Sequence, residues 1–511
     1  MTHNTENIQA NSEDMFAALM EIAKRGAVAS KQKSFKDVTV TRGGDQIQLP
    51  EGMSYETGRE WLVKMEEAEE TEVQINNSLP GYPLDGALAL SKAMKNLYGF
   101  TSFSGGFFDP PAMITIQTGP NATDKEQVLW GRFTPPGVEG FIKPGVGRNS
   151  KGFPIFEIRG VVKRKHEKVV RTIILETERI LREESIYKGK AIHLDLGYMR
   201  DGREFDPEHD APKFMTGLDK VDESHLILDR VTEFTIRSAI WARIEQSAAV
   251  RANGVPLKHG AVLSGPYGTG KTLSARVTAA KAARNGWTFI YLQDVRDLGQ
   301  ALRFAELYGP AVLFAEDIDR AVTGERSPEM DQILNTLDGV DTKHNPIITI
   351  LTTNHADKIN PAFLRAGRID SFIEMKLPDA EAAGRFLNLY ATTSDGRNLL
   401  DPSIDPLEAG ELFAGLIPAF IATGVHQATM ATIARHGADI VGKVTMDELR
   451  GAAGAMRDHA RRVADTRPVT ESERLAEAMR VIASSLTMPA DLRKEIEDTA
   501  QNVVAIHEAI S

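Results

Sequence analysis

Three short runs of apolar residues dominate the middle of the chain: Ala261-Val-Leu-Ser264, Ala311-Val-Leu-Phe-Ala315 and Ile347-Ile-Thr-Ile-Leu351. Unbroken apolar character over four or five residues suits a strand covered on both faces, as in a parallel sheet. An alanine-rich helical segment, Leu273 to Arg284, follows the first run, and strand-helix alternation continues to about Leu377. From Pro378 to about Ile482 the pattern is amphipathic helix punctuated by glycine, and a last helical pattern runs from Pro489 to the end.

Upstream the spacing changes character. A short helical pattern (Met15, Phe16, Leu19, Met20, Ile22) precedes a second helix from Tyr55 to about Val73, with acidic residues at Glu66, Glu67, Glu69, Glu70 and Glu72. Between Gly99 and Val162, glycine, proline and aromatics interleave with alternating runs such as Met113-Ile-Thr-Ile-Gln117 and Phe153-Pro-Ile-Phe-Glu-Ile158, which predicts a small β-rich unit. A basic stretch, Val162 to Lys168, leads into a helix with apolar positions Val169, Val170, Ile173, Ile174, Ile180 and Leu181. The turn-rich segment Asp201 to Pro212 reads as a linker. The predicted division is a helical region over 1–98, a β-rich domain with helix and linker over 99–205, an α/β domain over 206–378, a helical unit over 379–487 and a C-terminal helix over 488–511.

Composition narrows the partners. At 511 residues the chain exceeds one core, and 42% apolar with 26% charged residues is ordinary for a soluble globular protein. A net charge of −11 disfavours generic attraction to nucleic acid or anionic lipid, and the absence of cysteine removes disulfides and thiolate chemistry. With no secretory signal pattern and no long apolar run, the expected setting is cytoplasmic, away from the membrane.

The first apolar run feeds Gly265-Pro-Tyr-Gly-Thr-Gly-Lys271-Thr272, a phosphate loop at full spacing. Glycines let backbone N–H groups curl around phosphates, and the following helix adds a positive dipole end. Gly265, Pro266, Tyr267, Gly268, Thr269, Gly270, Lys271, Thr272 and the adjoining Leu273 are therefore expected to line a nucleotide, ATP with Mg²⁺. Lys271 would meet the β- and γ-phosphates, and the Thr272 hydroxyl would ligate the metal. The second run ends in Glu316-Asp317-Ile-Asp319, which supplies one carboxylate for the metal shell (Glu316) and one for the attacking water (Asp317). The third delivers Asn354, whose amide can sense the γ-phosphate. Beyond it, Arg365 and Arg368 stand three apart about a glycine turn, suited to reach a phosphate across a subunit interface. A finger acting in trans requires a ring or other head-to-tail oligomer.

Taken together, residues from about Lys213 to Ile440 resemble an AAA ATPase module of the classical clade. Glu316-Asp-Ile-Asp319, Leu334-Asn-Thr-Leu-Asp-Gly-Val340, Thr352-Thr-Asn-His355 and Leu364-Arg-Ala-Gly-Arg-Ile-Asp370 resemble, within it, the branch containing the mitochondrial complex III assembly chaperone. The resemblance implies a doubly wound parallel sheet with a helical lid, preceded here by an α+β N-terminal domain, and a homo-oligomeric ring of six or seven subunits. Most AAA proteins have Asp before Glu at the second strand; the reversed order is usual in this branch. Gly217 and the lid residues Gly424 and Val425 fall where relatives hold adenine.

Two features set limits on the client. The segment from Phe289 to Phe304 lacks the aromatic-hydrophobic-glycine triplet with which unfoldases grip a threaded chain; Tyr291 and Phe304 within it read as core. The membrane segment of the complex III chaperone has no counterpart here. The leading expectation is a ring motor that remodels, assembles or releases a protein client bound by its N-terminal region. The alternatives are a nucleic-acid-remodelling ATPase, favoured by the Lys163–Lys168 stretch, and a nucleotide-dependent scaffold of low turnover.

Overall fold

The computed structural model describes residues 55–99, 113–320, 346–356, 368–437 and 439–465, together with three short strands, β1 (Ile8–Gln9), β2 (Thr39–Arg42) and β3 (Asp45–Gln48), which pair into a small sheet. The expected helices at Met15–Ile22 and beyond Pro489, and the Leu334–Val340 and Arg365 positions, lie outside the described residues.

The N-terminal unit is built on helix α1 (Tyr55–Glu70), strand β4 (Glu72–Leu79) and helix α2 (Pro83–Tyr98). A hairpin of β5 (Met113–Gln117) and β6 (Lys125–Leu129) follows, then the long strands β7 (Gly140–Arg148) and β8 (Pro154–Lys163) and helix α3 (Glu167–Glu183). β8 pairs antiparallel with both β4 and β7. Helix α2 presses so closely on β8 that a Cβ on Gly86 would sit 2.0 Å from the Phe156 ring, so only glycine fits there.

A seven-stranded sheet forms the second layer, in the order β10-β9-β12-β13-β14-β11-β15. Its strands are β9 (Ala191–Leu194), β10 (Lys213–Phe214), β11 (His259–Ser264), β12 (Thr288–Leu292), β13 (Ala311–Ala315), β14 (Ile347–Thr353) and β15 (Ser371–Glu374). All neighbours run parallel except β9 and β10. The three apolar runs read from the sequence become β11, β13 and β14, and every residue of those strands is buried. The chain leaves β11 for β12 on one side and returns as β15 on the other. That makes the C-terminal end of β11 the switch point at which open α/β sheets bind ligands.

Helices α5 (Arg230–Ile236), α6 (Ala242–Glu245), α7 (Ser247–Ala252) and α8 (Lys271–Arg284) lie on one face with residues such as Trp241, Phe289 and Phe314. On the other face, helix α9 (Leu298–Leu307) packs into a core that continues through Tyr187, Tyr308 and Phe304 into the N-terminal unit. Two boundaries expected from the sequence are therefore not breaks in the structure. Residue 98/99 falls inside one packed unit, and β9, upstream of residue 205, belongs to the large sheet. Local composition marked turns at those places, and long-range pairing joined what lay on either side.

A third core belongs to the lid: α10 (Ala380–Ala391), α11 (Pro406–Phe413), α12 (Pro418–His436) and α13 (Met446–Asp465). Among the described residues no single helix is long and apolar enough to cross a membrane. The pair α11 and α12 has that composition, but it is bent by 115° and turns Phe413, Ile421 and Val425 into the lid core.

Where the N-terminal unit meets the sheet, Asp85 of α2 is buried. It accepts from Ser185 Oγ at 2.7 Å and Ile186 N at 3.0 Å, and Tyr308 shares the site. Burial pushes its carboxyl up to about 6 from an ordinary 3.8, against the pull of those hydrogen bonds. A raised folded-state value means the stabilisation is complete below pH 4 and is lost as pH rises through about 6, amounting to about 3 kcal/mol. Asp85→Asn is expected to remove that slope. Urea unfolding of both proteins from pH 4 to 7 checks it, because only the wild type should lose this increment.

Candidate active site

The site begins where β11 ends. Gly268 and Gly270 take φ of +80° and +98°, left-handed values that side chains resist, and Gly270 caps α8. Thr269 Oγ1 donates to Pro266 O at 2.9 Å and closes the loop on itself. The first turn of α8 thus presents N–H groups that have no intrahelical partner, at the positive end of its dipole. Lys271 is buried, and its ammonium donates to the carbonyls of Gly265 at 2.6 Å and Pro266 at 2.8 Å. Burial lowers its pKa, while Asp317, Glu316 and Asp319 oppose the shift. Tyr267 at the loop tip is exposed and Leu273 half-buried.

The parallel register carries the second and third strand ends to the same rim. Gly265 N donates to Thr353 O at 3.2 Å, and β13 lies beside β14. Thr272 Oγ1 donates to Glu316 Oε1 at 2.6 Å, which sets two hard oxygen donors side by side as Mg²⁺ requires. Asp317 has φ of +52°, the one non-glycine residue with positive φ among the described residues. Asp and Asn tolerate this conformation better than other side chains, which gives a conformational reason for Asp rather than Glu at this place. Its backbone N donates to Thr352 Oγ1 at 3.3 Å, and its Oδ1 accepts from Asn354 Nδ2 at 3.0 Å. Asp319 behind it accepts from Thr353 Oγ1 at 2.8 Å.

Asn354 Oδ1 is buried without a hydrogen-bond partner, although buried acceptors are nearly always satisfied. Since the amide N–H is committed to Asp317, the orphaned oxygen is suited to accept from a water held beside that carboxylate. The hard-oxygen pair, the orphaned acceptor and the loop that only glycine can form fit a Mg²⁺-bound nucleoside triphosphate.

Around the loop, Gly217 (φ +69°) opens a short 3₁₀ turn against α8, and Leu226 sits where a Cβ on Gly270 would meet it at 3.4 Å. From the lid, Ile417 stands where a Cβ on Gly268 would meet it at 3.5 Å. Gly424 and Val425 are placed differently from the expected adenine contacts. A Cβ on Gly424 would meet the Phe413 ring at 2.5 Å, and Val425 is buried in the lid core. Both positions serve packing between lid helices, and Ile417 is the lid residue against the loop. Its signal in sequence was an apolar residue just before Pro418 at a helix start.

Tyr291 also departs from its reading as core. The ring is half-buried on β12, stacked on Phe314 at 5.6 Å, and burial together with the carboxylates of Glu316 and Asp317 raises the pKa of its hydroxyl. A tyrosine near the C-terminal end of a strand beside the carboxylate strand was the available clue. Phe304 is core as expected.

Arg368 is not brought to this loop. It borders Lys258, His259 and Gly260 at the start of β11, whose six residues put it roughly 16 Å from the loop end. A Cβ on Gly260 would lie 1.8 Å from Arg368 O, and Asp370 bonds Gly260 through both its N–H (2.7 Å) and its carboxylate (3.0 Å). The backbone at Arg368 is thereby held against the opposite end of the sheet. His259 beside it is pushed down to about 4 by burial and Arg243, so it stays neutral.

With this geometry in view, comparison with known proteins is informative. Residues 261–377 match the family described as ATPase family associated with various cellular activities (AAA). The ATP-dependent zinc metalloprotease FtsH of Cutibacterium acnes is 30% identical over 274 residues, 49% of this chain and 35% of the relative. FtsH 2 of Sorangium cellulosum is 32% identical over 228 residues, 40% of this chain and 36% of the relative. FtsH 3 of Sphaerobacter thermophilus is 31% identical over 209 residues, 37% and 41% respectively. The chain thus spans about a third to two-fifths of the length of these curated relatives. The family match, the sheet order and the loop geometry together make residues 261–377 an AAA domain, set in an α/β module with a helical lid.

Proposed function

We propose that the protein hydrolyses ATP with Mg²⁺ at this site, as a subunit of a ring that remodels, assembles or releases a protein client. The observation that carries the reading is the meeting of two pairs, Thr272 with Glu316 and Asp317 with Asn354, at the phosphate loop. The loop amides and Lys271 bind and orient the phosphates. Thr272 and Glu316 would hold the Mg²⁺, which when bound shields phosphate charge from the incoming oxygen. Asp317 accepts the proton of the attacking water, and Asn354 Oδ1 fixes that water's orientation. Arg368 lies at the opposite end of β11 from its own loop, which supports a role at a neighbour's site and is the reason for proposing a ring of six or seven subunits. Within this proposal the Glu-Asp order supports kinship with the complex III chaperone branch, while the relatives found are FtsH proteins, so the shared part is the ATPase module.

The β12 to α9 connection bears on how a client is handled. It is a short turn with Val295 buried, and Arg200 of helix α4 (Gly197–Arg200) pairs with Asp294 at 3.1 Å and Asp297 at 3.0 Å. Because helix α4 pins this turn, a gripping loop is not part of the proposal. Nor is peptide-bond hydrolysis carried over, since the 511 residues contain no His-Glu-x-x-His zinc motif. The nucleic-acid reading loses support because Lys163 and Lys165 are each paired with Glu70 and Glu139.

Phosphate release from ATP tests the proposal. Turnover is expected with Mg²⁺, to be abolished by EDTA, and to be indifferent to added DNA or RNA. Stimulation by nucleic acid with steep salt dependence would favour the remodelling alternative, and tight binding without turnover the scaffold.

A further inference from the structure

We propose that Asp370 and His259 are positioning residues for Arg368: together they anchor the segment that carries it to the base of β11, so that the guanidinium is offered to a neighbouring subunit's ATP from a fixed point. The inference rests on the proposed role of Arg368 at a neighbour's site. A finger that crosses an interface has to arrive with its backbone already ordered, because every dihedral left free adds an entropic cost to the encounter with the phosphate. An arginine side chain brings several rotatable bonds of its own, which leaves the backbone as the part a protein can fix in advance.

Three sets of contacts fix it here. Strand β15 pairs in parallel with β11, from Ala261 opposite Ser371 to Ser264 opposite Glu374, so the residues just ahead of β15 cannot slide without a slip of register. Asp370 grips Gly260 twice. Its N–H donates to Gly260 O at 2.7 Å, and its Oδ2 accepts from Gly260 N at 3.0 Å. Gly260 is buried, so loss of that carboxylate would strand a buried donor. His259 supplies the third contact: its Nδ1 lies 3.5 Å from Asp370 Oδ2 and its Nε2 2.9 Å from Ser371 Oγ. Burial and Arg243 keep this ring neutral, with a single N–H. Set at Nδ1, toward the carboxylate, that proton leaves Nε2 to accept from the Ser371 hydroxyl. Ile369, between Arg368 and Asp370, is buried in the core and pegs the same segment from within.

The test combines turnover with complementation between variants. Asp370→Ala is expected to lower ATP turnover by about 10²-fold, the scale of a misplaced catalytic group, while nucleotide affinity stays within about twofold. Asp370→Asn keeps an acceptor for the Gly260 N–H and is expected to recover most of that loss. Assembly with Asp317→Asn subunits separates positioning from a merely structural role. Those subunits bring an intact finger but no proton acceptor, so beside an Asp370→Ala subunit they complete a working site. In an equal mixture about one interface in four joins two sound halves, and turnover is expected to rise well above that of either variant alone. A deformed β11 or phosphate loop could not be rescued by a neighbour's finger. Unchanged turnover in Asp370→Ala overturns the inference, as does the absence of a rise in the mixture. Should Asp370→Ala fold poorly, His259→Phe, which keeps a ring but no nitrogen, is taken through the same mixture with the same expectation. Arg368→Ala mixed with Asp317→Asn is the control for the underlying reading. If that pair gains activity and the Asp370→Ala pair does not, only the positioning inference fails; if the control gains nothing, the finger does not act in trans and the proposed ring site fails with it.

Discussion

Replacing Arg368 with alanine is expected to lower ATP turnover by about 10³- to 10⁵-fold, with nucleotide affinity of the subunit little changed. The expectation follows from placement. Arg368 stands at the start of β11 and the phosphate loop at its end, so the guanidinium is expected to serve no phosphate of its own subunit. The backbone contacts of Gly260 with Arg368 and Asp370 hold it at that edge. If it completes a neighbour's site, mixed assemblies should lose activity out of proportion to the fraction of mutant subunits. Turnover measured across a mixing series checks this, and a linear decline would mean that each subunit works alone.

Asp317→Asn should cut turnover by at least about 10²- to 10⁴-fold while ATP still binds. The substitution isolates charge from shape. Asparagine shares the size of aspartate and its tolerance of the left-handed backbone at φ +52°, and its carbonyl can still accept from Asn354 Nδ2. What disappears is the capacity to take a proton from water. Single-turnover phosphate release alongside nucleotide-binding titration separates the two effects, and unchanged release would remove Asp317 from the role. The same variant, held in its ATP-bound state, is the reagent with which to capture the client.

The reversed Glu-Asp order has a physical basis on both sides. Asp317 occupies a backbone conformation that favours a short, self-bonding side chain, and Glu316 has Thr272 to restrain its extra length. A change at either position alone would leave the other poorly matched, so the pair is best regarded as one unit.

Much of the module was legible in the chain because its signals are local. Continuous apolar runs become buried parallel strands whatever surrounds them, as β11, β13 and β14 do. Glycines at fixed offsets before a lysine permit one loop shape, and carboxylates just past a strand end fall at the rim where ligands bind. Spacing along the chain therefore determined the α/β class, the phosphate loop and the residues Thr272, Glu316, Asp317 and Asn354. Tertiary structure alone decided what depends on pairing between distant segments. Strand β9 joined a sheet beyond the expected linker, and the N-terminal unit shared its core with α9. Gly424 and Val425 turned into the lid while Ile417 met the loop, because helix packing sets which face points inward. Tyr291 came to stack on Phe314 through a register that aligns residues 23 positions apart, a relation that no local pattern encodes.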